Sequence, residues 1–369
     1  MKVRPARPSP IVGRIARLRH RLRPAGVRRL LVTDPVDVGY LTDFTGDDSW
    51  LVAGEGRSWL LTDFRYAEQA ERECPGIGLV VRHGTMVKAL ADLVRRKRIA
   101  RLGYDPETVT VAQRSRLRRA LGDKVRLAPV EGVPAALRVH KDSGEVRAIA
   151  AAILVAEAAW REFRRRVRLG MTERELATEL DHRMRLAGAD VPAFPTICAV
   201  GASSSMPHAR PGDRRLRRGS VLLVDFGARV AGYVCDLTRV LLACRMTSRA
   251  ASIYSIVREA QAAAIARVGP GVPLAEVDAA ARAVIEAAGF AGAFQHGTGH
   301  GLGRQVHEAP ALSPLAVKGR LEPGMVVTIE PGIYLRGRFG IRLEDDVLVT
   351  ETGRRVLTHL EKDLEAMVL

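Results

Sequence analysis

Residues 221–239 read VLLVDFGARVAGYVCDLTR, and each of the two apolar segments in this stretch carries one aspartate. The two segments and the glycine-containing turn between them predict a β-hairpin. With the turn centred between Val230 and Ala231, Asp225 and Asp236 lie directly opposite each other on one face. Two carboxylates placed so closely repel each other and destabilise a sheet unless a cation lies between them. The hairpin therefore predicts a cation site as well as a sheet.

A second stretch repeats this arrangement, because residues 325–344 read MVVTIEPGIYLRGRFGIRLE. A turn centred on Gly337 places Glu330 opposite Glu344. Two acidic pairs of this kind are explained by two divalent metal ions, which bridging carboxylates hold about 3.5–4 Å apart. Hard oxygen ligands suit Mn²⁺, so we expect two Mn²⁺ ions as the cofactor, with Co²⁺ or Zn²⁺ as alternatives.

Histidines are concentrated between the two hairpins, where residues 296–308 read HGTGHGLGRQVHE. The glycines allow close backbone approach, so we expect His300 to reach the acidic residues and to act as a further metal ligand. His307 is predicted to lie on a strand over residues 303–307 and to face the same cleft. His208 lies in an earlier loop rich in Gly, Ser and Pro, where spacing alone also allows an ordinary loop residue.

Six motifs follow one another in a fixed order: PHA (207–209), DFGA (225–228), GYVCDLTR (232–239), HGTGHGLGRQVHE (296–308), IEPGIY (329–334) and GIRLED (340–345). Together they resemble the pita-bread metallopeptidases, which include Xaa-Pro aminopeptidases, prolidases and methionine aminopeptidases. Three earlier motifs, VTDP (32–35), LTDFTG (41–46) and LTDFRY (61–66), are similar to the creatinase/prolidase-type amino-terminal domain. The resemblance therefore covers nearly the whole chain.

The resemblance implies an α+β fold, with a C-terminal pita-bread (creatinase/aminopeptidase) catalytic domain after a smaller α/β domain of the creatinase/prolidase type. The local pattern agrees, because short apolar runs alternate with helical stretches up to about residue 138 and longer helices follow. We therefore expect domains at residues 1–138 and 139–369. The presence of the first domain disfavours a methionine aminopeptidase.

The resemblance also implies a role for each acidic residue and for one histidine of the site. Asp236 and Glu344 correspond to ligands that contact both metal ions. Asp225 corresponds to a ligand of one ion, whereas His300 and Glu330 correspond to ligands of the other. Glu330 is in addition the expected proton acceptor and shuttle.

Three further residues are implied in catalysis. His208 matches a histidine near the scissile bond, His307 one that hydrogen-bonds the substrate carbonyl or the tetrahedral intermediate, and Arg342 one that supports the metal-site carboxylates. The implied activity is that of a metallo-exopeptidase, which hydrolyses the Xaa-Pro bond of proline-containing peptides by metal-activated hydroxide attack. Xaa-Pro aminopeptidase and Xaa-Pro dipeptidase activity both stay open. The alternative is a metal-free relative, either a creatinase-like hydrolase or a non-catalytic binding protein.

The charge of the chain offers a competing interpretation. The 369 residues include 58 Lys and Arg against 41 Asp and Glu, a net charge of +17, and only seven of the basic residues are Lys. Such a balance is compatible with nucleic-acid binding. However, the arginines are spread over both predicted domains without a binding motif or an aromatic platform, so arginine-rich codon usage is the simpler explanation. We expect no nucleic-acid partner.

The remaining expectations concern location and assembly. The four cysteines are far apart and form no CxxC pair, which favours reduced thiols in a cytoplasmic protein. No apolar run is long enough to span a bilayer, so we expect no membrane partner. Residues 1–29 predict a basic surface helix, with a transit peptide or an anionic-surface anchor as alternatives. The resemblance implies a homodimer, in which the neighbour's amino-terminal domain caps the cleft.

Overall fold

A computed structural model describes residues 11–244 and 247–369 of the protein. The chain divides between Arg138 and Val139 into two compact units. Residues 1–10, which belong to the arginine-rich segment discussed above, lie outside the described residues. No helix in the described part of the chain is long and apolar enough to cross a membrane.

The first unit is an α/β unit built on one six-stranded sheet in the order β4-β3-β2-β1-β5-β6. Its elements are α1 (Ile11–Leu22), β1 (Arg29–Val32), α2 (Pro35–Thr42), β2 (Trp50–Gly54), β3 (Trp59–Thr62), α3 (Ala67–Glu73), β4 (Gly78–Val81), α4 (Met86–Arg96), β5 (Arg101–Tyr104), α5 (Val111–Leu121), β6 (Arg126–Pro129) and α6 (Val133–Arg138).

Helices cover both faces of this sheet because successive strand residues point to opposite sides. In β1, Leu30 and Val32 belong to one buried cluster, whereas Leu31 belongs to the other. The predicted basic helix at the amino terminus is confirmed as α1, which buries Leu18 and Leu22 against the first cluster.

The second unit consists of two helix pairs and several small antiparallel sheets around one core. Its elements are α7 (Ser143–Arg164), α8 (Glu173–Ala187), β7 (Val191–Pro192), β8 (Ile197–Val200), β9 (Val221–Phe226), β10 (Ala228–Val230), β11 (Tyr233–Val234), β12 (Leu237–Leu242), α9 (Ser248–Arg267), α10 (Leu274–Ala287), β13 (Gly299–Gly301), β14 (Glu308–Leu312), β15 (Val326–Ile329), β16 (Gly332–Leu335), β17 (Phe339–Arg342), β18 (Asp345–Val349) and β19 (Arg354–Val356).

The first acidic hairpin forms, but its predicted register is wrong. Asp225 pairs with Thr238 across β9 and β12, not with Asp236. The turn lies one position later than predicted, at Ala231 and Gly232, which both have positive φ angles (51° and 80°) as a tight hairpin turn requires. The pairing therefore shifts by two residues, which keeps both aspartates on the same face because the side-chain period of a strand is two.

The second acidic hairpin has the predicted register. The pair Gly332–Arg342 between β16 and β17 and the pair Ile329–Asp345 between β15 and β18 flank the two glutamates with one continuous alignment. Glu330 and Glu344 are therefore opposite each other, as a turn centred on Gly337 requires. Gly337 has a φ of 72°, a conformation that glycine adopts without strain.

The strand predicted over residues 303–307 is wrong, and His307 lies in a loop between β13 and β14. The loop is stabilised by a side chain instead of a strand partner. The Glu308 carboxylate accepts hydrogen bonds from the backbone N–H groups of Arg304 and Gln305, both at 3.1 Å. The Lys141 ammonium lies 3.3 Å from the same carboxylate and is itself almost fully buried.

Candidate metal centre

A cleft of about 520 Å³ in the second unit brings together all the residues that the sequence singled out. Those residues are His208, Asp225, Asp236, His300, His307, Glu330, Arg342 and Glu344. Elements that are distant in sequence supply them, because the two hairpins and the glycine-rich segment meet at the same place. Folding creates this grouping, and the order of the motifs in the sequence does not predict it.

Three of the acidic residues lie close to His300. Asp236, His300 and Glu344 each offer one ligand atom, and these atoms lie within 4.8 Å of each other. The Nε2 atom of His300 is 3.2 Å from Glu330 Oε1 and 3.8 Å from Asp236 Oδ2. Carboxylate oxygens with one imidazole nitrogen form a donor set typical of divalent transition-metal ions.

Three of the acids each have a buried oxygen with no hydrogen-bond partner among the described residues: Asp225 Oδ1, Asp236 Oδ1 and Glu344 Oε1. Leaving buried polar atoms unpaired is costly unless a ligand completes them. Burial, together with the charges of neighbouring carboxylates, also raises the pKa of each of these three groups. A cation between them would remove both penalties, so the residues present fit a divalent metal centre.

Glu330 differs from its three acidic neighbours because it has a cationic partner. Burial raises its pKa, but the hydrogen bond and charge of His300 outweigh burial and lower the pKa to about 2. Burial conversely lowers the pKa of His300, and Glu330 more than compensates, so that this pKa is raised. The hydroxyl of Thr328 adds a hydrogen bond to Glu330 Oε1 at 3.2 Å. Glu330 is therefore the acid of the cluster that stays ionised most readily.

Arg342 joins the two hairpins. Its Nη2 atom donates to Asp225 Oδ2 at 2.5 Å, and its Nε atom donates to the Thr238 hydroxyl at 3.0 Å. Thr238 in turn donates to Glu344 Oε2 at 2.6 Å. The guanidinium thus orients one carboxylate directly and a second one through a hydroxyl, which leaves the remaining oxygen of each free for a cation.

The opposite end of Arg342 contacts Tyr334, a residue with no role predicted from the sequence. Its Nη1 atom donates to the Tyr334 hydroxyl at 2.8 Å, and that hydroxyl is 2.9 Å from His296 Nε2. His296 Nδ1 lies 2.8 Å from the carbonyl oxygen of Gly297, which can only accept, so Nδ1 carries the proton and Nε2 accepts from Tyr334. Tyr334 is the last residue of the IEPGIY motif, and its place in that motif is the only indication of a role in the sequence.

The glycine-rich segment is held by a helix residue that sequence reasoning missed. Asp278 on α10 accepts hydrogen bonds from the backbone N–H and the hydroxyl of Thr298, at 3.0 and 2.9 Å. The Thr298 carbonyl then accepts the backbone N–H of Glu330 at 2.7 Å. Asp278 therefore fixes the segment before His300 and the strand end that carries Glu330. Its position on an amphipathic helix gives no signal in the sequence.

A further buried acid, Asp346, lies directly behind the cluster. Its Oδ2 atom accepts the backbone N–H of Asp236 at 3.2 Å, and its side chain is fully buried. Burial raises its pKa well above the usual range for an aspartate. Asp346 is the second aspartate of the sequence GIRLEDD (340–346), but its spacing there indicates no function.

The two exposed histidines lie at the cleft in different ways. His307 packs its ring against that of His300, with a centroid distance of 4.4 Å, although its loop is not the predicted strand. His208 lines the cleft from the segment before β9, and its side chain is exposed. Both imidazoles are thus available to a molecule bound in the cleft.

Comparison with known protein families explains why these residues lie together in the cleft. The model of metallopeptidase family M24 matches residues 147–351. The chain belongs to this family. The creatinase/prolidase N-terminal domain matches residues 14–140. The family uses divalent metal ions, which agrees with the donor set of the cleft, and the α+β fold class predicted from the sequence is confirmed.

Relatives and solved structures agree with this membership. The uncharacterized peptidase YqhT of Bacillus subtilis is 36% identical over 351 residues, which is 95% of this chain and 99% of that protein. A solved Xaa-Pro dipeptidase from Bacillus anthracis is 34% identical with a TM-score of 0.93, covering 98% of this chain and all of that one. A solved X-Pro aminopeptidase from Thermotoga maritima is also 34% identical, with a TM-score of 0.89, and the match covers 95% of this chain and 100% of the other.

Proposed function

We propose that this family M24 member is an exopeptidase that hydrolyses the Xaa-Pro bond of proline-containing peptides. Of the two solved relatives described above, one is named an Xaa-Pro dipeptidase and the other an X-Pro aminopeptidase. The observation that carries the proposal is the set of three buried carboxylate oxygens without partners, which matches a metallopeptidase and disfavours the metal-free alternative.

We propose that five residues hold two divalent ions, with Mn²⁺ as the expected metal: Asp225, Asp236, His300, Glu330 and Glu344. When bound, such ions lower the pKa of a water molecule and polarise a carbonyl group. Glu330, which is ionised over the whole neutral range, is suited to accept a proton from that water. Its Oε1 atom lies 3.2 Å from Nε2 of His300, the ligand expected on the same ion.

Three further side chains are assigned to the substrate and its support. His307 lies beside His300 at the cleft and is positioned to hydrogen-bond the substrate carbonyl as negative charge develops on it. His208 lines the same cleft and is assigned to the leaving side of the scissile bond. Arg342 is a positioning residue, because it contacts Asp225 and Thr238 and keeps the carboxylates in place.

Metal analysis and peptide hydrolysis test the proposal together. The purified protein is expected to bind two Mn²⁺ ions per chain and to cleave Ala-Pro or Ala-Pro-Ala, while Ala-Ala is left intact. Asp236→Asn should lower both metal content and turnover, the latter below about one hundredth of the original value. Asp213→Asn is the matched control, because that side chain is 83% exposed on the surface. Near-normal turnover of a metal-replete Asp236→Asn variant would contradict the assignment.

Assembly and location follow as lesser parts of the proposal. We assign residues 1–138 to the amino-terminal domain and residues 139–369 to the catalytic domain, and we expect a homodimer. Light scattering after size-exclusion chromatography measures the mass and tests that expectation. A cytoplasmic location is supported by the four cysteines, which are all free and of which three are buried.

A further inference from the structure

A second arginine, Arg210, lines the cleft, and the assignments above do not use it. Arg342 is buried and bonded to Asp225, Thr238 and the Tyr334 hydroxyl. Arg210 is exposed instead, and no carboxylate among the described residues forms an ion pair with it. The cleft therefore has one cationic side chain committed to the metal site and another that is free to contact a bound molecule.

The backbone on both sides of Arg210 is fixed, so that the free side chain starts from a defined position. The carbonyl of Pro207 accepts a hydrogen bond from Arg342 at 3.4 Å. The backbone N–H of Gly212 donates to the buried Glu173 carboxylate at 2.8 Å. The proline that follows Arg210 restricts its backbone to extended conformations. A preorganised loop of this kind lowers the entropic cost of ligand binding.

We propose that Arg210 binds the free α-carboxylate of an Xaa-Pro dipeptide and makes the enzyme a dipeptidase; this inference rests on the function proposed above. A dipeptide has one charged group at each end. Its α-amine would lie at the metal centre, and its α-carboxylate needs a cation elsewhere in the same cleft. A guanidinium binds a carboxylate through two parallel hydrogen bonds, whereas a neutral amide in that place offers no charge. Arg210 therefore discriminates between dipeptides and longer or amidated peptides.

The test compares Ala-Pro with Ala-Pro-amide, using the full-length, Mn²⁺-loaded enzyme. Arg210→Ala is expected to lower kcat/KM for Ala-Pro about 10- to 100-fold, mainly through KM, because a charge-assisted hydrogen bond is lost. The value for Ala-Pro-amide should change by less than about two-fold. Arg210→Lys should restore part of the loss because it keeps the charge but not the planar fork. Arg218→Ala is the matched control, since it removes an exposed arginine outside the cleft.

The outcomes separate this inference from the function on which it rests. A selective loss on Ala-Pro supports the role of Arg210. Equal losses on both substrates would mean that Arg210 acts on the loop or the metal site, and no loss on either would mean that it touches no substrate; both results overturn the inference and leave Xaa-Pro hydrolysis intact. If the unmodified enzyme cleaves only Ala-Pro-Ala, this inference alone is overturned. If it cleaves none of the three substrates, the proposed function fails and this inference falls with it.

Discussion

Thr238 is a single hydroxyl on which two functional side chains depend. It accepts a hydrogen bond from Arg342 and donates one to Glu344, and it is fully buried. Thr238→Val keeps the shape of the side chain but removes both bonds. We expect this variant to lower Mn²⁺ affinity by about 10- to 100-fold, as is typical when a residue that orients a metal ligand is lost. Calorimetric titration of metal-free protein with Mn²⁺ measures the affinity.

The matched control for this prediction is Thr238→Ser, which keeps the hydroxyl and loses only a methyl group. It should bind Mn²⁺ within about three-fold of the unmodified protein, because the oriented carboxylate is preserved. If the valine and serine variants bind equally well, Glu344 does not depend on this hydrogen bond.

The residues of the cleft could be predicted from the sequence, whereas most of their supports could not. Asp225 and Glu330 are recognisable because an acid at the end of an apolar strand is costly without a partner. Thr238, Asp278 and Asp346 act through hydrogen bonds to groups that are brought close by folding. Thr238 and Glu344, for example, are 106 positions apart. No local spacing encodes such a pair, so sequence reasoning has nothing to detect.

At the scale of elements, the residues in the two hairpin turns explain why the register of the second hairpin is predicted correctly and that of the first is not. The second hairpin turns at Gly337, and a symmetric loop around that glycine gave the correct pairing. The first hairpin turns at Ala231 and Gly232, where a non-glycine residue occupies a left-handed conformation. Alanine is a weak signal for such a position, because this conformation favours glycine, asparagine or aspartate. The sequence therefore allows two centres for the turn, and the predicted centre is wrong.

Close packing between β13 and β15 gives a prediction for one glycine. A Cβ atom on Gly299 would lie 1.9 Å from the backbone carbonyl oxygen of Thr328, a distance that forces the two strands apart. These strands carry His300 and lead into Glu330. We expect Gly299→Ala to destabilise the second unit by about 1–3 kcal/mol, as overpacked sites do. It should also weaken Mn²⁺ binding, because the two ligands would separate.

Urea unfolding can follow this unit alone, because Trp160 is its only tryptophan and the other two, Trp50 and Trp59, belong to the first unit. Replacing those two by phenylalanine leaves Trp160 as the sole reporter. Gly292→Ala is the control, since a Cβ atom there meets no neighbouring atom within 4 Å. The same unfolding midpoint for both glycine variants would contradict the steric argument.

For the whole molecule, four buried arginines have a structural use. Arg14 and Arg239 are fully buried, and Arg138 and Arg342 are nearly so. Each of the four has a carboxylate partner within its own unit: Asp43, Asp345, Asp37 and Asp225, respectively. Each pair is neutral, so these four arginines and four aspartates add nothing to the net charge of +17, which comes from the other residues. The pairs reduce the number of arginines available at the surface but leave the net charge that attracts polyanions unchanged.

Buried charge in the second unit also predicts how the stability of that unit responds to pH. In metal-free protein, burial and mutual repulsion raise the pKa values of Asp225, Asp236, Glu344 and Asp346, and the pKa of His300 is raised as well. Above about pH 4 these five groups bind more protons in the folded state than in the unfolded state, whereas His296 and His307, whose pKa values burial lowers, bind fewer near neutral pH. The stability of the unit is therefore highest near the unfolded pKa values and falls as pH rises. Glu330, with a pKa of about 2, titrates outside this window.

We therefore expect the metal-free protein to unfold at a higher urea concentration at pH 5.5 than at pH 7.5. With saturating Mn²⁺ the order should reverse, because protons compete with the metal for the same carboxylates. The Trp160 reporter described above measures both midpoints. In the double variant Asp236→Asn/Glu344→Gln, the metal-free difference should shrink, since two of the raised pKa values are gone. Greater stability of the metal-free protein at pH 7.5 would mean that the carboxylates do not repel one another, and the strongest argument for a cation between them would be lost.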